Sequence, residues 1–173
     1  MTARRQERNG WRPGIAFIAA WASLAGLSLG VTAHPEAAAA AATTERVVLN
    51  RFTGLAIEGF DPVAYFTDAR PEVGVEAYEA DGQGAVWRFR NEGNRASFLA
   101  HPDIYGPQFG GYDPTDVARG VTVAGNPRFW LVSGQRLYLF GREETRQAFA
   151  TDPSNVLRKA RLRWPELEQG LAE

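Results

Sequence analysis

Two stretches of the chain alternate apolar and polar residues on either side of a turn-forming tip, a pattern that a β-hairpin accommodates and a helix does not. VEAYEADGQGAVWRFR (75–90) reverses at Asp81-Gly82-Gln83-Gly84, and PRFWLVSGQRLYLFG (127–141) reverses at Ser133-Gly134. The period of two places Trp87, Phe89, Phe129, Trp130 and Tyr138 where packed helices would cover them, so most of these aromatics are expected in the core. NEGNRASFLAHP reads as a short amphipathic helix with Ala96, Phe98 and Leu99 inward and Pro102 beyond its end. GVTVAG reads as a further strand. REETRQAFATDP and PSNVLRKARLRWPELEQGLAE read as closing helices, the second interrupted at Trp164-Pro165 because proline brings no amide donor. In GFDP, Asp61 can cap a turn or a single helical turn with Pro62 at its first position. Strands mixed with helices in this order predict an α+β fold: a small antiparallel sheet of hairpins packed by short helices, with C-terminal helices, and not a doubly wound parallel sheet. No internal repeat is read from the sequence, and residues 51–173 are taken as one domain.

The segment before that domain carries Arg4, Arg5, Arg8 and Arg12 against Glu7, then no charge from Ile15 to Val31. A basic region before an apolar stretch is the pattern of a signal peptide, expected over 1–33 with cleavage after Ala33, or within the alanine run Ala37 to Ala42. The alternative is an uncleaved membrane anchor, and many Ala, Gly and Ser residues weaken that reading. Residues 34–50 are small or polar for most of their length and are expected to be a flexible Ala-rich linker, with core-forming residues starting near Val47. The expected location is therefore periplasmic or secreted. A hydrophobic content of 45% suffices for a packed core without staples, and the absence of cysteine excludes disulfides, thiolate metal ligands and a cysteine nucleophile. The formal net charge of −1 becomes about −4 without the leader, since 15 basic residues then face 19 acidic ones. That balance, with no basic stripe in the domain, argues against nucleic acid as a partner.

IEGFDPVAYF (57–66), VWRFRNEGNRASFLAHPDIYGPQFGGY (86–112), FWLVSGQRLYLF (129–140) and RWP (163–165), in that order, resemble the YHS domain family, in particular its small exported single-domain members. The resemblance runs from about Leu55 to Pro165. It implies a compact α+β module related to metal-binding domains of copper-handling proteins, also found attached to oxygenases and transporters, with no established reaction for the stand-alone members. Many members carry cysteine after the Gly-Gly-Tyr that ends the second block, whereas this chain has Asp113 there. A soft thiolate has become a hard carboxylate, which removes the natural Cu(I) ligand.

Candidate chemistry is accordingly sparse. Asp113 and Asp116 flank Pro114 at a spacing that lets a turn aim both the same way, either to cap it or to offer oxygen ligands to a divalent ion such as Ca²⁺ or Mg²⁺. His101, before Pro102, suits a helix end and is the third candidate metal ligand. Asp61, Tyr65, Tyr105, Tyr112 and Asp113 form a candidate ligand pocket if the GFDP block packs near the GGY loop, or else hydrogen-bond one another at the core's rim. Neither Ser97 nor Ser133 has the strand-to-helix elbow of a nucleophile, and no Gly-rich loop is followed by lysine, Lys159 being the sole lysine. The expectation is a non-catalytic binding module for a small ligand or metal ion. The alternatives are a structural or protein-protein interaction module in the envelope, or an accessory to a redox or oxygenase enzyme.

Overall fold

The structure is a computed structural model that describes residues 45–171; the expected signal peptide over 1–33 and the linker up to residue 44 lie outside the described residues. The fold is α+β, with two separate two-stranded antiparallel sheets and six helices. In chain order these are α1 (Ala64–Thr67), β1 (Val75–Gly82), β2 (Ala85–Phe89), α2 (Glu92–Ala100), α3 (Pro102–Tyr105), α4 (Pro114–Val117), β3 (Asn126–Ser133), β4 (Arg136–Phe140), α5 (Glu143–Thr151) and α6 (Pro153–Gln169). Both hairpins fall where alternation and turn chemistry put them. Their tips hold Gln83-Gly84 and Gly134-Gln135 at positive φ, as a tight two-residue reversal requires.

The chain joins the core from Val47, where core-forming residues are expected to start, and so within the stretch expected as linker. Val47 and Val48 are buried, and the Val48 amide donates to the Gly110 carbonyl at 2.8 Å while its own carbonyl accepts from Ile57 at 3.0 Å. The last residues of the expected linker are thus part of the core. Three further expectations change. GVTVAG is not a strand; it is held by the Tyr112–Ala124 bridge, by the bonds of Asp113 N–H to Val123 O and Gly125 N–H to Gly111 O, and by those of Gly120 and Val121 N–H to the carbonyls of Val117 and Asp116. On α2, Phe98 and Asn94 face inward while Ala96 and Leu99 are exposed, because a nine-residue helix lying on one hairpin buries a single i, i+4 stripe. Helix α6 runs unbroken through Pro165. Trp164 and Leu167, either side of that proline, pack on the buried group of Val48, Tyr112, Val117 and Ala160, and this packing outweighs the missing hydrogen bond.

The chain is a tandem structural repeat, which corrects the reading of a sequence without one. Strand β1 pairs with β2 from Val75↔Phe89 to Gly82↔Ala85 with a bulge before Glu79↔Arg88. Strand β3 pairs with β4 from Asn126↔Phe140 to Ser133↔Arg136 with the bulge before Trp130↔Leu139, every position a step of 51 further on. The bridges Leu55–Val86 and Phe60–Val73 recur as Pro107–Leu137 and Tyr112–Ala124. Ring contacts follow the same step, Trp87 and Phe89 on Phe98 becoming Tyr138 and Phe140 on Phe149. Helix α3 corresponds to the first turn of α6, each opening on a proline. The two copies are interlocked: Leu137 and Leu139 of the second share a core with Trp87, Phe89 and Phe98 of the first.

Candidate functional site

Each repeat opens on Gly-aromatic-Asp-Pro, and the two aspartates do the same work. Asp61 is fully buried; one of its oxygens accepts from the amides of Val63 at 2.8 Å and Ala64 at 3.3 Å, the other from the amide of Arg90 at 2.9 Å and the Asn94 side chain at 2.6 Å. Asp113 is also fully buried; one oxygen accepts from the amides of Thr115 at 2.8 Å and Asp116 at 3.4 Å, the other from the Gly141 amide at 2.8 Å and the Thr145 hydroxyl at 2.5 Å. In both places one carboxylate caps a helical turn and ties it to the residue after the second strand and to the helix that follows. Each such knot fixes a hairpin against its helix. The acid after Gly-Gly-Tyr therefore repeats the role that Asp61 has in the first copy.

Burial pushes the Asp113 carboxyl above its ordinary pKa, and the Thr145 hydroxyl with the Gly141 and Thr115 amides pulls it part of the way back. Asp116, also buried, faces the other way: it pairs with Arg119 at 2.9 Å and with both terminal nitrogens of Arg142 at 2.9 and 3.2 Å. That pairing raises the Arg142 pKa. Asp113 and Asp116 thus serve separate partners. His101 is exposed at the junction of α2 and α3, and its amide closes α2 by donating to the carbonyls of Ser97 and Phe98. Among the described residues no three His, Asp or Glu side chains gather where they could share an ion, so His101, Asp113 and Asp116 do not form a joint ligand set.

The tyrosines expected beside the acids are distributed through the core. Tyr65 donates its hydroxyl to the Pro127 carbonyl at 2.8 Å, and burial, with the nearby Asp61 and Glu58 charges adding to it, pushes its phenol far above the ordinary value. Tyr112 donates to the Glu45 carbonyl at 2.5 Å and stacks near Trp164. Tyr105 is half-buried, edge-on to Phe66 at 5.2 Å. Asp61 and Asp113 share no hydrogen-bond partner, and none of the five candidate ligand residues lines a described cleft.

The best-formed described cleft meets the GGY loop at Gly110 and leaves out Tyr112. It has a volume of about 540 Å³ and is lined by Arg46, Val47, Gln83, Gly84, Pro107, Gly110, Trp164 and Glu168. Its walls come from the chain entering the domain, the first hairpin tip, the Pro107–Gly110 segment and the last turns of α6, so it lies where the two repeats meet. Gly110 is shaped for this place: at φ 62° it passes so close to the entering strand that a Cβ would stand 1.9 Å from the Arg46 carbonyl oxygen. Trp164 packs on Phe109 and Tyr112 at centroid distances of 5.5 and 6.0 Å and forms one wall. Sequence reasoning missed Arg46, Gln83, Trp164 and Glu168. The usable signal was the i, i+4 spacing of Trp164 and Glu168, hidden by the expectation of a helix break at Pro165. No family model, curated protein or solved structure matches the chain.

Proposed function

We propose that this chain is an exported YHS-like module that binds a small ligand without transforming it, and that the ligand occupies the cleft formed by Gly110, Pro107, Trp164 and the first hairpin tip. The carrying observation is the cleft itself, whose 540 Å³ falls within the roughly 300–1,000 Å³ usual for small-molecule sites and whose lining combines an aromatic wall with a few polar groups. The commitment of the buried acids supports the same reading. Asp61 and Asp113 have both oxygens filled by internal donors, so proton transfer or ligation at either would first dismantle the turn it holds. Export rests on the basic and then apolar N-terminal pattern, and kinship with the YHS family on the four sequence blocks. No helix among the described residues is long and apolar enough to cross a membrane.

The test is a fragment library screened by two-dimensional NMR on the purified domain. Binding in the cleft moves the amide signals of Gln83, Gly84 and Gly110 together with the Trp164 indole signal. Hits that leave all four in place, or a library without hits at millimolar concentration, overturn the proposal.

A further inference from the structure

Three observations at one end of the cleft specify the chemistry of what it takes. Trp164 and Glu168 are four residues apart on α6, one helical turn, so the indole and the carboxylate stand side by side on the wall. The Glu168 carboxylate, half-buried, makes no hydrogen bond or ion pair with any described residue, whereas Arg46, which also lines the cleft, is itself engaged. Finally, α6 ends here without a basic residue in its last turn, so the negative end of the helix dipole adds to the Glu168 charge instead of being neutralised. A carboxylate in the last turn of a helix opposes the dipole and is locally unfavourable, and an arriving cation relieves it.

Resting on the cleft reading above, we infer that the ligand carries an organic ammonium group, seated against the Trp164 indole with Glu168 as its counter-charge. An indole attracts a cation through its negative π-face, and an ammonium with methyl substituents loses little hydration when it enters an aromatic-lined site. Gly84 and Gly110 bring bare backbone to the lining, and Gln83 offers an amide to a polar tail. An anionic ligand meets the Glu168 carboxylate and the helix end together, and is disfavoured by both.

Three probes of one shape separate these cases: choline, its neutral carbon isostere dimethylbutanol, and dimethylbutanoate. Titrated into the domain while the Trp164 indole and the Gly84 and Gly110 amides are followed, choline binds roughly five- to thirty-fold more tightly than dimethylbutanol, and dimethylbutanoate binds weakest. Glu168→Gln, whose side chain is replaced at a place where it has no partner among the described residues, keeps the fold and removes most of the preference for choline over dimethylbutanol. Equal binding of choline and dimethylbutanol, tighter binding of dimethylbutanoate, or an undiminished preference in Glu168→Gln overturns the ammonium assignment while leaving the cleft reading intact. Failure of all three probes, with library fragments still moving the cleft signals, also overturns it; failure of probes and library together overturns both.

Discussion

A carboxylate with four donors around it is a structural element in its own right, and Asp113 shows what sustains it. The four donors favour the ionised form, burial opposes it, and burial is the larger influence, so the folded-state pKa is raised. The sign of the pH dependence follows. As pH falls, the folded chain takes up this proton before the unfolded chain does; the destabilising contribution present at neutral pH is relieved through the folded pKa and is gone below the unfolded one. Measured as urea stability against pH, the wild type therefore gains on Asp113→Asn between neutrality and the ordinary carboxylate range, and a flat or reversed difference contradicts the assignment. Glycines give a second contrast. Gly134→Ala places a Cβ in open space at φ 56° and costs about 1 kcal/mol from left-handed strain alone. Gly110→Ala adds a collision with the Arg46 carbonyl oxygen and costs at least about 3 kcal/mol, with loss of the Val48–Gly110 hydrogen bond visible as fast amide exchange at Val48.

Helix α6 sets packing against local propensity. Pro165 is exposed, thirteenth in a helix of seventeen residues, and its ring removes the hydrogen bond to the Arg161 carbonyl while Trp164 and Leu167 hold the backbone on course. Pro165→Ala restores that bond and relieves the clash, partly offset by a more flexible unfolded chain, for a net gain of about 1–2 kcal/mol in thermal or urea unfolding. An unchanged or lower midpoint means that a kink at Pro165 is needed to seat Trp164. The same helix explains which parts of the molecule were legible beforehand. The hairpins could be read because alternation and turn residues are local signals, and Asp61 capping its turn at Pro62 is equally local. The continuity of α6 was not legible, because the contacts that override Pro165 come from Tyr112, Val117 and Val48, residues distant in the chain. GVTVAG has strand composition, but its neighbours leave it one bridge and no ladder partner. For the site, the aromatic and acidic residues of the GGY segment were visible as unusual, while their role depended on Gly141 and Thr145, which no spacing rule links to Asp113. The cleft depended on still more remote pieces, a hairpin tip and the end of a helix. The repeat, by contrast, was written in Gly-Phe-Asp-Pro and Gly-Tyr-Asp-Pro; so few identities at a step of 52, followed by hairpins at a step of 51, escape a search for similar strings.

At the level of the whole molecule, the two copies share one interior and cannot part without exposing it. Leu137 and Leu139 lie with Trp87, Phe89 and Phe98, and the Tyr65 hydroxyl crosses to Pro127. Unfolding is therefore expected to be a single transition, with β2 and β4 amides exchanging only through global opening. Native-state hydrogen exchange checks this: protection free energies of Trp87 and Leu139 agree within about 0.5 kcal/mol, and a gap above about 1.5 kcal/mol shows that one repeat opens alone. The cleft has a further consequence for how the chain is wired. Arg46, which precedes the first repeat, and Glu168, in the last turn of α6, line the same small hollow, so the chain entering the two repeats and the helix that closes them lie within one ligand's width of each other. A short linker can join them, and the chain can be reopened in the exposed Ser133–Arg136 turn, making a circular permutant that traverses the two copies in a different order. The site would then sit beneath a covalent bridge of chosen length, a door whose opening can be set by the number of residues in its hinge.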